Sequence, residues 1–263
     1  FVLNLVEPQS SGIGGGAFML HWNEKARRLE TYDGRETAPK DIDVDFQLDA
    51  NGDRRKFYER IQGGESVGVP GVLAMLKLAH DRHGKLPWKD LFTPAIDLAE
   101  NGFPISPRLN QLIAEAPGLA DSPSARDYFF NADGSPKSVG SVLRNPKFAA
   151  TLRLNANLCP DVVYEGEIAR DIVRAVRNAH KNPGSMTRRD MAVYSAKIRP
   201  NLCNRYDEYL VCGMPPPSSG GLTVLQTLGL LDTIDDFDEL DPAGTAAIQR
   251  VADAGSLAFA DRN

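Results

Sequence analysis

The residues with the most chemical content are Asp33-Gly34-Arg35-Glu36, a turn-prone segment that sets one guanidinium between two carboxylates. A guanidinium held in a short turn is suited to grip a carboxylate ligand through two parallel hydrogen bonds. An internal ion pair with Asp33 or Glu36 is the competing use of the same charge. Upstream lies Gly12-Ile13-Gly14-Gly15-Gly16, four glycines in five positions. Such a backbone can approach another surface closely, because no side chain stands in the way. Together the two segments point to a ligand carrying a free carboxylate; they name no reaction.

The same spacing also fits a dinucleotide fingerprint, with Gly12, Gly14 and Ala17 as G-x-G-x-x-A and Asp33 as the ribose acid. That fingerprint requires a helix to begin at the glycines and face the pyrophosphate. Here the glycines lead into apolar Ala17–Trp22, then the charged stretch Asn23–Arg28, then Leu29–Tyr32. That order reads as strand, turn, strand, so the nucleotide reading is set aside.

Other reactive side chains are sparse. His80 and His83 lie three apart on an expected helix, but no third ligand accompanies them, and no C-x-x-C occurs. A metal site is therefore not expected, and both histidines read as a solvated helix face. Cys203 and Cys212 flank Asn204–Val211. They form either a cross-strand disulfide in an oxidising compartment or, with Cys159, a set of free thiols; Cys159 is unpaired in both cases. Ser218-Ser219-Gly220-Gly221 follows three prolines. It reads as a tight strand-to-helix corner, with an anion site at the helix start as the alternative.

The elements that must position these groups follow from periodicity. Beyond the N-terminal hairpin, residues 40–65 are rich in charge and poor in large apolar groups, which reads as a surface excursion. Helices are expected over 72–83, 88–100, 107–116, 145–157, 165–181 and 187–194, the last opened by Thr187 with Asp190 at the capping-box position. Residues 122–141 read as a loop with a short hairpin. Tyr209–Met214 reads as a strand, and a helix begins near Gly220 with Ser218 or Ser219 as its cap. Helices fill the middle of the chain and strands its ends, which argues for an α+β architecture and against an alternating parallel sheet.

The 263 residues allow one domain or two, and the net charge of −5 argues against a general nucleic-acid binder. No apolar run reaches the length of a membrane span, and no signal peptide is visible. Phe1–Val6 reads like the middle of an element, so the start of the gene product is expected to be missing.

In order, the segments EPQSSGIGGGAF, TYDGRETAP, SVGVPGVL, YEGEIARDIV, MTRRDMAVY, MPPPSSGG and AFADRN resemble the large-subunit half of the gamma-glutamyltransferase family. The resemblance covers nearly the whole chain. It implies an α+β N-terminal-nucleophile hydrolase sandwich with α/β/β/α layers. Residues 1–263 would be the large-subunit portion of one domain, completed by a small subunit cut from the same precursor. The nucleophile would be the new N-terminal threonine of that small subunit, its α-amine serving as base. Its oxyanion donors would lie there too, so no catalytic residue is expected in this chain. A γ-glutamyl-enzyme would form from glutathione or a related compound, and water, an amino acid or a peptide would accept the group. In this picture Arg35 binds the α-carboxylate of the substrate, while Asp33 and Glu36 shape the turn or orient Arg35. No metal or organic cofactor is implied, and export to the periplasm or secretion is. A cephalosporin acylase-like or capsule transpeptidase-like enzyme of the same fold, and a non-catalytic binding subunit, are the alternatives. Alone, the chain should expose strand edges and an apolar interface.

Overall fold

The computed structural model describes residues 1–262. In chain order, α1 (Leu3–Val6) precedes the hairpin β1 (Ala17–Asn23) and β2 (Arg28–Gly34). Helices α2 (Phe57–Ile61), α3 (Val72–His83) and α4 (Thr93–Asn101) follow, then β3 (Phe103–Pro104), α5 (Pro107–Glu115), α6 (Pro123–Phe129) and β4 (Val142–Leu143). Next come α7 (Pro146–Leu158), α8 (Asp161–Tyr164), α9 (Glu167–Arg177) and α10 (Arg188–Ala192). The chain closes with β5 (Lys197–Arg199), β6 (Leu202–Tyr206), β7 (Tyr209–Gly213), α11 (Gly220–Leu231) and α12 (Thr245–Arg262). The chain forms two compact units: a larger one from residues 1–16 and 36–195, and a smaller one from residues 17–35 and those from 196 onward. Helices in the middle and antiparallel strands towards the ends meet the expected α+β class.

The larger unit is helical because its helix starts are well specified. Ser106 Oγ accepts the Leu109 N–H at 3.0 Å and Asn145 Oδ1 accepts the Phe148 N–H at 2.9 Å, each followed by a proline in the first turn. One core gathers Trp88, Phe92, Ile96, Leu109, Ile113, Leu143 and Leu152, and the Trp88 indole N–H donates to the buried Asn155 carbonyl at 3.0 Å. The single helix expected over 88–100 is instead a 3₁₀ turn, Trp88–Phe92, followed by α4. Pro94 explains the break, since it offers no N–H to the preceding turn and its ring crowds that turn's carbonyl. His80 also departs from expectation: its Nε2 meets the Leu86 carbonyl at 2.8 Å and its ring packs edge-on against Trp88, so it is half-buried and structural. The loop expected over 122–141 contains α6, which opens at Pro123 and packs Tyr128 and Phe129 on the first core.

A second core joins Val69, Leu73, Val163, Tyr164, Val176, Met186 and Met191. The Tyr164 hydroxyl donates to the Pro70 carbonyl at 2.9 Å, and burial pushes its pKa up. At α10 the expected capping box is present. Asp190 N–H donates to Thr187 Oγ1 at 3.2 Å while Asp190 Oδ2 accepts from the Thr187 N–H at 2.8 Å. Asp190 Oδ1 also accepts the Lys40 N–H at 3.0 Å, tying residue 40 to α10. Burial works against the Asp190 charge, but hydrogen bonds from Thr187 and Lys40 outweigh it and hold the carboxyl below the usual carboxylate range. A depressed folded pKa contributes stability that is present above the unfolded value of about 4 and is lost as pH falls through the folded one. Asp190→Ala is therefore expected to cost about 1 kcal/mol at neutral pH. Acid titration of thermal stability should show the variant and parent converging below about pH 4.

Residues 40–65 are mostly exposed, as expected, but they are not loosely attached. Asn182, at φ 44°, donates from Nδ2 to the carbonyls of Glu59 (2.9 Å) and Gln62 (2.8 Å), and its Oδ1 accepts Arg55 Nη2 at 2.8 Å. The Asn182 carbonyl accepts the N–H groups of Gly64 (2.7 Å) and Glu65 (2.8 Å). The left-handed conformation that permits this is one asparagine tolerates. Gly64 and Gly184 are pressed together beside Val176 with no room for a side chain.

In the smaller unit, β1, β2 and β5 form an antiparallel sheet with β2 in the centre. Ala17 pairs with Gly34, Asn23 with Arg28, Thr31 with Arg199 and Asp33 with Lys197. A central strand has no free edge, and β2 is buried continuously from Glu30 to Gly34 rather than in alternation. Its polar groups are paired: Glu30 accepts the Tyr32 hydroxyl at 2.6 Å and is bonded to Arg28. The hairpin β6–β7 sets Cys203 opposite Cys212, and the two form a disulfide, which decides between the readings left open. Cys159 is free. The corner before α11 is as tight as expected: a methyl group on Gly213 would lie 2.6 Å from Gly221 Cα. Of the two serines, Ser219 is the N-cap residue but makes no side-chain cap bond, while Ser218, one residue earlier, accepts the Gly220 N–H on its Oγ at 3.3 Å. No helix among the described residues is long and apolar enough to cross a membrane.

Candidate functional site

Arg35 follows the last residue of β2 directly and is exposed on this chain. Its main chain is fixed from behind. Asp33 Oδ1 accepts the Arg35 backbone N–H at 2.8 Å, an Asx turn in which a carboxylate bonds the amide two residues on. Asp33 Oδ2 accepts Arg199 Nε–H at 2.6 Å. The Asp33 side chain is 6% exposed and that of Arg199 39%. A buried carboxylate is costly unless paired and hydrogen-bonded; here each oxygen has a donor. Asp33 thus shapes the turn, as the sequence led us to expect.

Arg199 is the member of this cluster that sequence reading missed. It comes from β5, whose three residues are too few to signal a strand, and it reaches Asp33 across 166 positions. No spacing rule signals such a partner; pairing of β2 with β5 creates it.

Glu36 lies in the larger unit, where a methyl group on Gly68 would come within 2.8 Å of Glu36 Cβ, and Thr37 bridges Val69. The glycine run has a defined structural use there. The Gly15 carbonyl accepts the N–H groups of Gly71 (2.9 Å) and Val72 (3.1 Å) at the start of α3, a helix with no side-chain cap. That carbonyl satisfies donors a helix start leaves open. Gly12 and Gly14 face open space on this chain. Among the described residues no three His, Cys, Asp or Glu side chains gather to hold a metal ion. A groove of about 650 Å³ in the larger unit, lined by Asn4, Pro8, Tyr128, Arg144 and Lys147 among others, contains neither Arg35 nor the glycine run.

Chemically, this arrangement is a guanidinium at a surface, carried on a rigidly tethered backbone. It can bind and orient an anion.

Comparison with known proteins gives this geometry its context. The family model described as Gamma-glutamyltranspeptidase matches residues 1–263. The glutathione hydrolase proenzyme of Bacillus subtilis (strain 168) is 36% identical over 262 residues, covering 100% of this chain and 44% of the relative. The acylase ACY 1 proenzyme of Pseudomonas sp. (strain SE83) is 32% identical, covering 100% of this chain and 47% of its own. The crystal structure of Helicobacter pylori gamma-glutamyltranspeptidase superposes with a TM-score of 0.91 at 29% identity, over 99% of this chain and 73% of that one. The chain therefore spans less than half the length of the curated relatives it matches, and shares the N-terminal-nucleophile hydrolase fold. On the full-length match of sequence and fold, the chain belongs to the gamma-glutamyltranspeptidase family.

Proposed function

We propose that this chain is the large-subunit part of an enzyme that cleaves the γ-glutamyl amide bond of glutathione and related compounds. Arg35 holds the α-carboxylate of the γ-glutamyl group, and residues 1–263 are completed by a small subunit from the same precursor. The observation that carries this reading is the Asp33-tethered, exposed Arg35 in a chain of this family. In this reading the threonine at the new N-terminus of the partner attacks the amide carbonyl, with its α-amine taking the hydroxyl proton. The C–N bond breaks, the amine leaves with that proton, and water or an acceptor amine then displaces the γ-glutamyl group from the threonine. The present chain contributes binding and orientation. The Cys203–Cys212 disulfide supports an oxidising compartment, consistent with export to the periplasm or secretion.

A second reading, an acylase of the same fold, is favoured by the 32% identity to the Pseudomonas acylase proenzyme. The two separate on substrate. The self-processed full-length protein is expected to release the amine from a γ-glutamyl anilide and from glutathione. Turnover of simple acyl amides with none of γ-glutamyl donors would favour the acylase, and failure on both classes would point to a binding subunit.

A further inference from the structure

We propose that Arg199 is a positioning residue for donor recognition, acting on Arg35 through Asp33. The inference rests on the reading that Arg35 grips the donor's α-carboxylate, and it extends the recognition machinery to a strand that the motif does not contain.

Arg199 is itself held at two points. Its carbonyl accepts the Thr31 hydroxyl, opposite which it lies in the β2–β5 ladder, and its Nε–H reaches Asp33 two residues further along. The diagonal neighbour across an antiparallel pair is within range of a long side chain. Asp33 is nearly fully buried, so its Oδ2 relies on that guanidinium donor rather than on water. With Oδ2 held by Arg199, Oδ1 stays aimed at the Arg35 amide. That bond sets the backbone from which the Arg35 side chain projects. Removing Arg199 leaves Asp33 buried without its cationic donor, and the Arg35 amide loses a fixed acceptor. A ligand carboxylate is then met by a less ordered guanidinium.

The test uses the self-processed full-length enzyme and two anilides, the γ-glutamyl compound and the 4-aminobutyryl compound, which keeps the amine but lacks the α-carboxylate. Arg199→Met should lower the kcat/KM preference for the γ-glutamyl donor by about three- to tenfold, towards the lower end of the coupling measured between contacting groups. The change should fall mainly on KM, and Arg199→Lys should recover part of it, because an ammonium can still meet Asp33. In an Arg35→Ala background, Arg199→Met should change the preference no further. Equal loss on both anilides, or an undiminished loss in the Arg35→Ala background, overturns the proposal. If Arg199→Met does not fold, Asp33→Asn keeps an acceptor but drops the charge and must also lower the preference; an unchanged preference overturns the proposal too. The underlying reading fails differently: Arg35→Ala alone would then leave the preference intact.

Discussion

Arg35→Ala in the self-processed full-length enzyme is expected to lower kcat/KM for a γ-glutamyl donor by at least about tenfold. Hydrogen bonds to charged groups contribute roughly 1.5–3 kcal/mol, and each 1.4 kcal/mol is a factor of ten in rate. Arg35 is exposed on this chain, where water screens charge, so the lower end of that range sets the minimum. The Asp33 tether fixes the backbone from which the guanidinium projects, which removes part of the ordering cost of binding. Lysine should restore part of the activity, since it keeps the charge but not the planar fork. Steady-state kinetics with a γ-glutamyl anilide, alongside a gel assay of self-cleavage, decides it. Normal turnover by a normally processed Arg35→Ala enzyme would remove Arg35 from donor recognition.

Gly64→Ala should strongly destabilise the larger unit. A methyl group there would lie 2.1 Å from the Val176 carbonyl oxygen and 2.5 Å from the Gly184 nitrogen. Those are main-chain atoms, so no flexible side chain can swing aside. The Gly184 N–H already bonds the Val176 carbonyl at 3.0 Å, and the Gly64 N–H bonds Asn182. Relieving the overlap must separate residues 63–65 from 182–184 and sacrifice at least one of these bonds. Overpacking typically costs about 1–3 kcal/mol and a lost hydrogen bond about 1 kcal/mol more. A fall in melting temperature of roughly 5–12 °C is expected for a unit of this size. Calorimetry checks the figure, and amide exchange at Gly64, Glu65 and Gly184 should accelerate with it. A variant melting within a degree or two of the parent would show that this junction has slack the packing denies.

Much of the fold was readable where its determinants are local. The helix α3 emerges from its apolar spacing, α5 and α7 from serine or asparagine followed by proline, and α10 from its capping box. The β1–β2 hairpin follows from two apolar runs about a charged turn. The misses have local causes as well. Pro94 restarts a helix that periodicity alone would continue, and α6 hides in a polar segment whose aromatics face the first core.

The amino-acid order by itself determined that a single arginine would stand in a turn after a strand, because Asp33-Gly34-Arg35 closes an Asx turn within three residues. Tertiary structure alone decided what stabilises that turn. It brought β5 alongside β2, gave the buried Asp33 carboxylate its Arg199 donor, and let Asn182 bind residues 59–65. Hydrogen bonds that close over a few residues leave a signature in spacing. Those that span more than a hundred positions depend on strand register and core packing, which no local pattern encodes.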